Sequence, residues 1–224
     1  MTGIPMNSSV VVAITGGIGT GKSTVAGLIE SMGYPVISSD NEAKLLMVRD
    51  AGIREKLIKE FGPDFYSPGG EVNGSYVSGL VFGPDKESCK RLDKLNSIVH
   101  PAVIENMIKS VEMLEENGEK LIFVESALTF EAGLEDGFDY IVVIDAPEDI
   151  CIDRVKTRSG LTEEQIRQRM ASQIPQKEKV NNADFVIDNS GTPDKLKQAV
   201  DFAMMVLKSV KPREPENDEI EQVP

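Results

Sequence analysis

Short apolar runs alternate along the chain with longer stretches in which apolar residues recur at helical spacing. Val10 to Thr15 is an unbroken, β-branched run that ends at glycines, which predicts a buried strand. After the glycines, residues 22–32 carry apolar side chains on one helical face and stop at Gly33, which predicts a helix. Four further strands are predicted over residues 34–38, 120–126, 139–145 and 183–188. This alternation is typical of a parallel sheet covered by helices on both faces.

Helical periodicity dominates the stretch between the second and third predicted strands. Ser39 and Glu42 have the spacing of a capping box, which would start a helix after the second strand. Pro101 is predicted to open another helix, with His100 at its start. Later helices are predicted over residues 147–158, after a cap at Thr162, and over 193–210.

These elements predict one α/β domain that carries a helical insertion and a helical lid. The boundaries are a loose leader at 1–9, a domain over 10–210 with its core at about 10–43 and 119–210, a helical insertion at about 44–118, a lid at about 147–182, and an acidic, disordered tail at 211–224.

The overall charge narrows the function classes. The 224 residues carry a formal charge of −13, which argues against nucleic-acid binding, because that binding rests on Lys and Arg neutralising phosphates.

No apolar run is long enough to span a bilayer and no export signal is present, so we expect no membrane association. Cys89 and Cys151 lack metal-type spacing. We therefore expect a cytoplasmic protein, and the sequence leaves its oligomeric state open.

Residues 16–23, Gly-Gly-Ile-Gly-Thr-Gly-Lys-Ser, match the phosphate-loop pattern G-x-x-x-x-G-K-[ST] between a predicted strand and a predicted helix. Its glycines allow backbone amides to approach and encircle phosphates, and the helix start directs its positive dipole end at the same anion. Lys22 would reach the β- and γ-phosphates, and the Ser23 hydroxyl would hold Mg²⁺. The predicted ATP contacts from this segment are Gly17, Gly19, Thr20, Gly21, Lys22, Ser23 and Thr24.

Several classes of nucleotide-binding protein share this loop. The chain lacks the N-K-x-D motif that reads guanine and the L-S-G-G-Q pattern of transporter ATPases. The chain instead has a helical insertion and, in its C-terminal part, helices that carry arginines. These features favour phosphoryl transfer to a small acceptor beneath a lid that excludes water. The alternatives are a kinase for another small hydroxyl or phosphate acceptor, and an ATP-binding sensor without turnover.

Asp40 follows the second predicted strand, and strand ends beside the phosphate loop are where ligands bind in such folds. A carboxylate there can accept the proton of an attacking hydroxyl, so Asp40 is the candidate general base. Glu125 ends the third strand and is a candidate Mg²⁺ ligand. Arg154, Arg158 and Arg169 lie on the predicted lid helices, where guanidinium groups can neutralise the transferring phosphoryl group.

The chain resembles the dephospho-CoA kinases. The resemblance runs from about Val10 to Lys208 and rests on segments 14–24, 36–40, 95–101, 130–133, 169–173 and 188–191. It implies a three-layer P-loop nucleotide-kinase fold with a five-stranded parallel sheet, a helical acceptor-binding insertion and a helical lid. It also implies transfer of the γ-phosphoryl group of ATP, with Mg²⁺, to the ribose 3′-hydroxyl of dephospho-CoA, the last step of coenzyme A biosynthesis.

The resemblance assigns roles to individual positions. It implies that Asp40, Lys22 and Arg158 are catalytic; that Arg154, Arg158, Asn189 and Gly191 contact ATP; and that Thr15, Asp40, His100, Glu131 and Arg169 contact the acceptor. The sequence departs from the family pattern at Ser38, where a first aspartate is usual, and at Glu125, where an aspartate followed by proline and two leucines is usual.

Overall fold

The computed structural model describes residues 9–83 and 85–213. These residues form five strands: β1 (Val10–Thr15), β2 (Val36–Ser38), β3 (Leu121–Glu125), β4 (Tyr140–Asp145) and β5 (Phe185–Asp188). They also form nine α-helices: α1 (Lys22–Ser31), α2 (Ser39–Arg49), α3 (Ala51–Phe61), α4 (Gly74–Val81), α5 (Lys86–Glu116), α6 (Glu148–Ser159), α7 (Glu163–Ala171), α8 (Gln176–Asn181) and α9 (Pro193–Leu207). Two short 3₁₀ turns lie at Pro63–Phe65 and Glu135–Gly137.

The five strands form one sheet in the order β2-β3-β1-β4-β5, and every neighbouring pair is parallel. The five-stranded parallel sheet predicted from the sequence is therefore confirmed. Strand β1 lies at the centre, where Val10 pairs with Leu121 of β3 and Val12 pairs with Tyr140 of β4. Because all strands run in the same direction, their carboxyl ends meet at one edge, and ligands bind at such edges in open α/β sheets.

Both faces of the sheet are buried, as expected for parallel strands. Val12, Ile14 and Phe123 face helices α1 and α9. Val11 and Val124 face the opposite layer, where they pack with apolar residues of α3 and α5. A separate small cluster packs α6 against α7 through Ile152, Val155 and Ile166. The result is a sheet between two helical layers.

The longest helix contradicts one sequence expectation. Pro101 does not open a helix but lies inside the 31-residue α5, so the prediction that His100 stands at a helix start was wrong. An internal proline removes one hydrogen bond and costs about 3 kcal/mol or more. Val99, Val103 and Met107 are all buried on one face of α5, and their burial offsets that cost.

The start of α2 also differs from the sequence expectation. Ser38, and not Ser39, is the N-cap residue, and no side chain caps the helix, so the capping box predicted from Ser39 and Glu42 was wrong. The Ser38 hydroxyl instead donates a hydrogen bond to the Glu125 carboxylate. The predicted cap at Thr162 is confirmed, since Thr162 and Gln165 form a full capping box at α7.

The last residue of the predicted leader (1–9) and one residue of the predicted tail (211–224) both contact the predicted domain. The Ser9 hydroxyl is buried and donates to the Glu119 carbonyl oxygen, and Arg213 pairs with the Asp184 carboxylate. The remainder of the predicted leader (1–8) and of the predicted tail (214–224) lies outside the described residues. Among the helices that are described, none is both long enough and apolar enough to cross a bilayer.

Candidate active site

The phosphate loop joins the end of β1 to the start of α1 and has no room for side chains at two of its glycines. Gly19 has a φ of +85°, and a Cβ there would lie 2.5 Å from the Cys151 carbonyl oxygen. Gly21 has a φ of +100°, and a Cβ there would lie 2.2 Å from the Asn189 side-chain nitrogen. Only glycine fits both positions, because L side chains disfavour this backbone region and would collide with the neighbouring atoms.

Lys22 is buried at the first position of α1 and folds back on the loop. Its Nζ donates to the carbonyl oxygens of Gly16 and Gly17 at 3.0 and 3.2 Å. Burial lowers the pKa of Lys22, whereas the nearby carboxylates of Glu125 and Asp40 raise it. The ammonium group is thus held over the loop without a carboxylate bonded directly to it, where phosphate oxygens can replace the carbonyls as acceptors.

The hydroxyls around the loop differ in exposure. Ser23 and Thr24 are exposed in the first turn of α1, where the free amides of the helix start favour an anion. Thr15 is fully buried at the end of β1, and its hydroxyl has no hydrogen-bond partner among the described residues. Thr20 is buried and donates to the Gly17 carbonyl oxygen, which fixes the turn of the loop.

Two carboxylates lie beside the loop: Glu125 at the end of β3 and Asp40 in the first turn of α2. Glu125 is the last residue of β3 and pairs in register with Ser38 of β2, whose hydroxyl bonds to Glu125 Oε2 at 2.9 Å. Burial raises the pKa of Glu125, the Ser38 hydrogen bond lowers it, and the charge of Asp40 raises it again. Asp40 itself is exposed in the first turn of α2. The Ser38 hydroxyl thus occupies the position where a second carboxylate would repel Glu125.

The oxygen atoms at this edge suit Mg²⁺. Ser23 offers a hydroxyl, and Glu125 keeps Oε1 without a hydrogen-bond partner among the described residues while Oε2 is held by Ser38. No group of three or more His, Cys, Asp or Glu side chains arranged for a metal occurs in the described part of the chain. Mg²⁺ commonly takes only one or two protein ligands, because it keeps several waters and takes the remaining ligands from substrate phosphates.

Asn189 holds the loop in place at Thr20. This buried residue follows β5, and its Nδ2 donates to the Thr20 carbonyl oxygen at 2.7 Å. Arg154 Nη2 donates to the Asn189 carbonyl oxygen at 2.8 Å, while Arg154 Nη1 is buried with no partner among the described residues. Gly191 is exposed just beyond, and Ser190 closes a turn on Asp188. Asn189 therefore joins the loop to helix α6.

The three predicted lid arginines lie in different surroundings. Arg158 is exposed near the end of α6 and has no ion-pair or hydrogen-bond partner among the residues described. Arg169 of α7 is half-buried, donates to the Ser78 hydroxyl at 2.6 Å, and stacks its guanidinium 4.7 Å from the Phe82 ring centroid. Arg169 therefore connects α7 to the end of α4, whereas Arg154 is anchored beside the loop.

Glu131 and His100 are the remaining predicted acceptor residues, and the charge of Glu131 is close enough to the loop to raise the pKa of Lys22. Glu131 accepts hydrogen bonds from Lys179 Nζ at 2.5 Å and from the Ile174 amide at 3.2 Å. Lys179 is fully buried, so the pair holds α8 against the segment after β3. His100 is half-buried within α5, and burial lowers its pKa.

Two glutamines also reach the loop. Gln176 accepts a hydrogen bond from the Gly17 amide at 2.8 Å, and Gln173 accepts one from the Ile18 amide at 2.9 Å. Gln173 lies in a segment that carries the family resemblance, but nothing in the local sequence marks Gln176, whose partners are more than 30 residues away.

The sequence model of the dephospho-CoA kinase (CoaE) family matches residues 10–195, from the first strand to the start of the last helix. The chain belongs to this family. The family resemblance seen in the sequence is thereby confirmed. Among curated relatives, the dephospho-CoA kinase of Geobacillus kaustophilus is 34% identical over 190 residues, covering 85% of this chain and 92% of the relative. That of Chlorobaculum tepidum is 35% identical over 205 residues, covering 89% and 96%.

Solved structures agree with the family assignment. The TT1252 protein of Thermus thermophilus superposes with a TM-score of 0.72 at 33% identity, covering 89% of this chain and 98% of that one. The dephospho-CoA kinase of Campylobacter jejuni gives 0.63 at 26% identity, covering 88% and 97%. A shikimate kinase of Bacteroides thetaiotaomicron gives 0.50 at 12% identity, covering 89% and 98%, and shows the shared fold alone. The predicted three-layer P-loop kinase fold is confirmed.

Proposed function

We propose that this dephospho-CoA kinase family member transfers the γ-phosphoryl group of ATP to the ribose 3′-hydroxyl of dephospho-CoA, giving ADP and CoA. The observation that carries the proposal is the family match over residues 10–195, which includes the phosphate loop, the insertion and the lid. The two dephospho-CoA kinases named above align with this chain over nearly their whole length. The glycine cradle and the buried Lys22 supply what binding of a triphosphate requires.

Asp40 is proposed to receive the proton. As the 3′-oxygen attacks the γ-phosphorus, the bond from that phosphorus to the β–γ bridging oxygen breaks, and the hydroxyl proton passes to the Asp40 carboxylate. Asp40 is suited to this role because it is exposed in the first turn of α2, close enough to Lys22 and Glu125 to affect both of their pKa values. A positioned general base contributes about 10²–10⁴-fold to such a reaction.

Charge is proposed to be stabilised from the loop and the lid. Lys22 would exchange its carbonyl partners for β- and γ-phosphate oxygens. Arg158 is free to fold over the nucleotide, and Arg154 presents a partnerless Nη1 beside the loop. Arginines in this position elsewhere accelerate phosphoryl transfer by about 10³–10⁵-fold. Asn189, which supports the loop, and Gly191 are proposed to border the adenine.

Mg²⁺ is proposed to be held by the Ser23 hydroxyl and Glu125 together with phosphate oxygens. When bound, it neutralises charge on the β- and γ-phosphates. Ser38 orients the Glu125 carboxylate for this role through the bond to Oε2.

The acceptor is proposed to lie between the insertion and the lid. Arg169 already connects these two parts through Ser78 and Phe82, and His100 stands on the helix that forms the insertion. Thr15 is proposed to act from the buried end of β1. Glu131 is proposed to act through the Lys179 pair, which fixes the segment preceding α8. The domain boundaries predicted from the sequence for core, insertion and lid are retained as part of this proposal.

We further propose that the reaction takes place in the cytoplasm. Cys89 and Cys151 are both free thiols, as a reducing compartment would keep them.

The test is ADP release with Mg·ATP and dephospho-CoA, run beside no acceptor, shikimate, nucleosides and sugar acids. Of these acceptors, we expect only dephospho-CoA to support turnover of Mg·ATP. Asp40→Asn is expected to lower kcat by about 10²–10⁴-fold while calorimetry shows unchanged ATP binding. Glu42→Gln, in the same first turn of α2, is the matched control and should keep full activity.

Three outcomes would contradict the proposal or one of its parts. Turnover with a different acceptor and none with dephospho-CoA would refute the substrate assignment and leave a P-loop kinase of other specificity. ATP binding without ADP formation in any arm would favour the sensor alternative. If Asp40→Asn retained wild-type kcat, Asp40 would not be the base.

A further inference from the structure

Two glutamine side chains seat the lid on the phosphate loop. Gln173 lies just after α7, and Gln176 is the first residue of α8. Their side-chain oxygens accept hydrogen bonds from the amides of Ile18 and Gly17, two consecutive residues of the loop, at 2.9 and 2.8 Å. The link between these parts of the chain spans more than 150 residues of sequence.

Gln176 uses both ends of its carboxamide. While Oε1 accepts from the Gly17 amide, Nε2 donates to the Ile144 carbonyl oxygen at 3.0 Å and to Asp145 Oδ1 at 2.9 Å. The Gly17 amide can only donate, and the Ile144 carbonyl can only accept. A carboxylate could not serve the two oxygens, and an apolar side chain of the same length could serve none of the three partners.

The three partners of Gln176 meet at the tightly packed start of the loop. The Ile144 carbonyl oxygen lies 2.5 Å from the position that a Cβ on Gly16 would occupy, so the end of β4 lies directly against the first residue of the loop. Gln176 therefore joins the end of the central sheet, the first turn of the loop and the lid through one half-buried side chain.

We propose that Gln176 is a positioning residue for nucleotide binding, deepening the proposed kinase function and resting on its use of ATP. The carboxamide fixes the Gly17 peptide and holds the start of α8 against the end of β4. The loop therefore has the conformation that binds a triphosphate before the nucleotide arrives. Gln173 makes a single bond to the loop and has the smaller part of the same role.

The test measures Mg·ATP affinity by calorimetry, together with KM for ATP, KM for dephospho-CoA and kcat. Gln176→Met should raise the Kd and KM for ATP about threefold to tenfold, as expected for the loss of net hydrogen bonding at the loop. Gln176→Glu should raise them at least as much, because its carboxylate would face Asp145 and cannot donate. The KM for dephospho-CoA and kcat should stay within twofold of wild type.

The control is Gln168→Met, on α7 of the same lid, because the Gln168 side chain forms no hydrogen bond with any of the described residues and its backbone carbonyl, which accepts from the Ser172 amide, is unchanged by the substitution. It should bind ATP like the wild type, and Gln173→Met should lie between the two. Unchanged ATP affinity in both Gln176→Met and Gln176→Glu would overturn the proposal, even if their melting temperatures fell, since that result would leave only structural support. An equal loss in Gln168→Met would overturn it as well. ATP affinity does not depend on the acceptor, so a wrong acceptor assignment would leave this test intact.

Discussion

The buried ion pair between Glu131 and Lys179 gives a prediction in which stability and substrate contact can be separated. The Lys179 side chain is fully buried, and the Glu131 side chain is 13% exposed. If Glu131→Gln removes the charge, the Lys179 ammonium keeps only the Ala127 carbonyl oxygen, at 3.4 Å, and a neutral amide. An uncompensated buried charge of this kind costs about 3–5 kcal/mol.

For a chain of this length, each kcal/mol shifts the melting temperature by about 2–4 °C, so Glu131→Gln should melt about 6–20 °C below the wild type. The double variant Glu131→Leu with Lys179→Met removes both charges and should recover most of that loss. Asp201→Asn is the matched control, because its pair with Lys197 is exposed and worth less than about 1 kcal/mol.

The assay is thermal unfolding followed by circular dichroism, with KM for dephospho-CoA measured well below the lowest melting temperature. We expect Glu131→Gln to lose stability and to raise its KM by no more than about tenfold, since one hydrogen bond contributes about 0.5–1.5 kcal/mol. A melting temperature within 2 °C of that of Asp201→Asn would refute the argument from burial, where the scale is about 2–4 °C per kcal/mol. A double variant as unstable as Glu131→Gln would refute the charge argument.

Three further predictions follow from the loop, the insertion and the thiols. Gly19→Ala should abolish ATP binding in calorimetry, because the new Cβ would lie 2.5 Å from the Cys151 carbonyl oxygen, whereas Gly27→Ala has open space and should bind normally. Burial lowers the pKa of His100 below its ordinary value, so the unfolded chain binds the extra proton and stability should fall as the pH decreases below about 6.5; His100→Gln should flatten this slope in urea unfolding, and an unchanged slope would contradict it. A thiol reagent should modify the exposed Cys89 rapidly and the buried Cys151 only on unfolding; rapid double labelling would show that α6 opens readily.

Much of the fold could be predicted because its signals are local. The run from Val10 to Ile14 is apolar throughout, and in the structure it forms, with Thr15, the central strand in which every residue is buried. The loop pattern needs only eight consecutive residues, and the cap at Thr162 needs only four. Local signals of this kind depend on backbone geometry and side-chain hydrogen bonding that neighbouring residues decide among themselves.

The parts that sequence reasoning missed depend on distant contacts. Pro101 is a strong local signal for a helix start, but packing of α5 against the sheet overrides it. Ser39 has a capping spacing, yet the helix begins one residue earlier because Ser38 bonds to Glu125, 87 positions away. Gln176 likewise acquires its partners only when α8 docks at the end of β4.

The central place of β1 has a consequence for the growing chain on the ribosome. Its first residue, Val10, pairs with Leu121, so the strand that is made first finds no neighbour in the sheet until more than a hundred further residues have been synthesised. At about 5–20 residues per second, that delay is on the order of 10 s. Throughout it, the apolar run Val10–Thr15 stays unpaired, a segment that nascent-chain chaperones are suited to shield. Slower translation between residues 40 and 120 would lengthen this exposure and should increase aggregation more than the same slowing after residue 145, when β4 is complete.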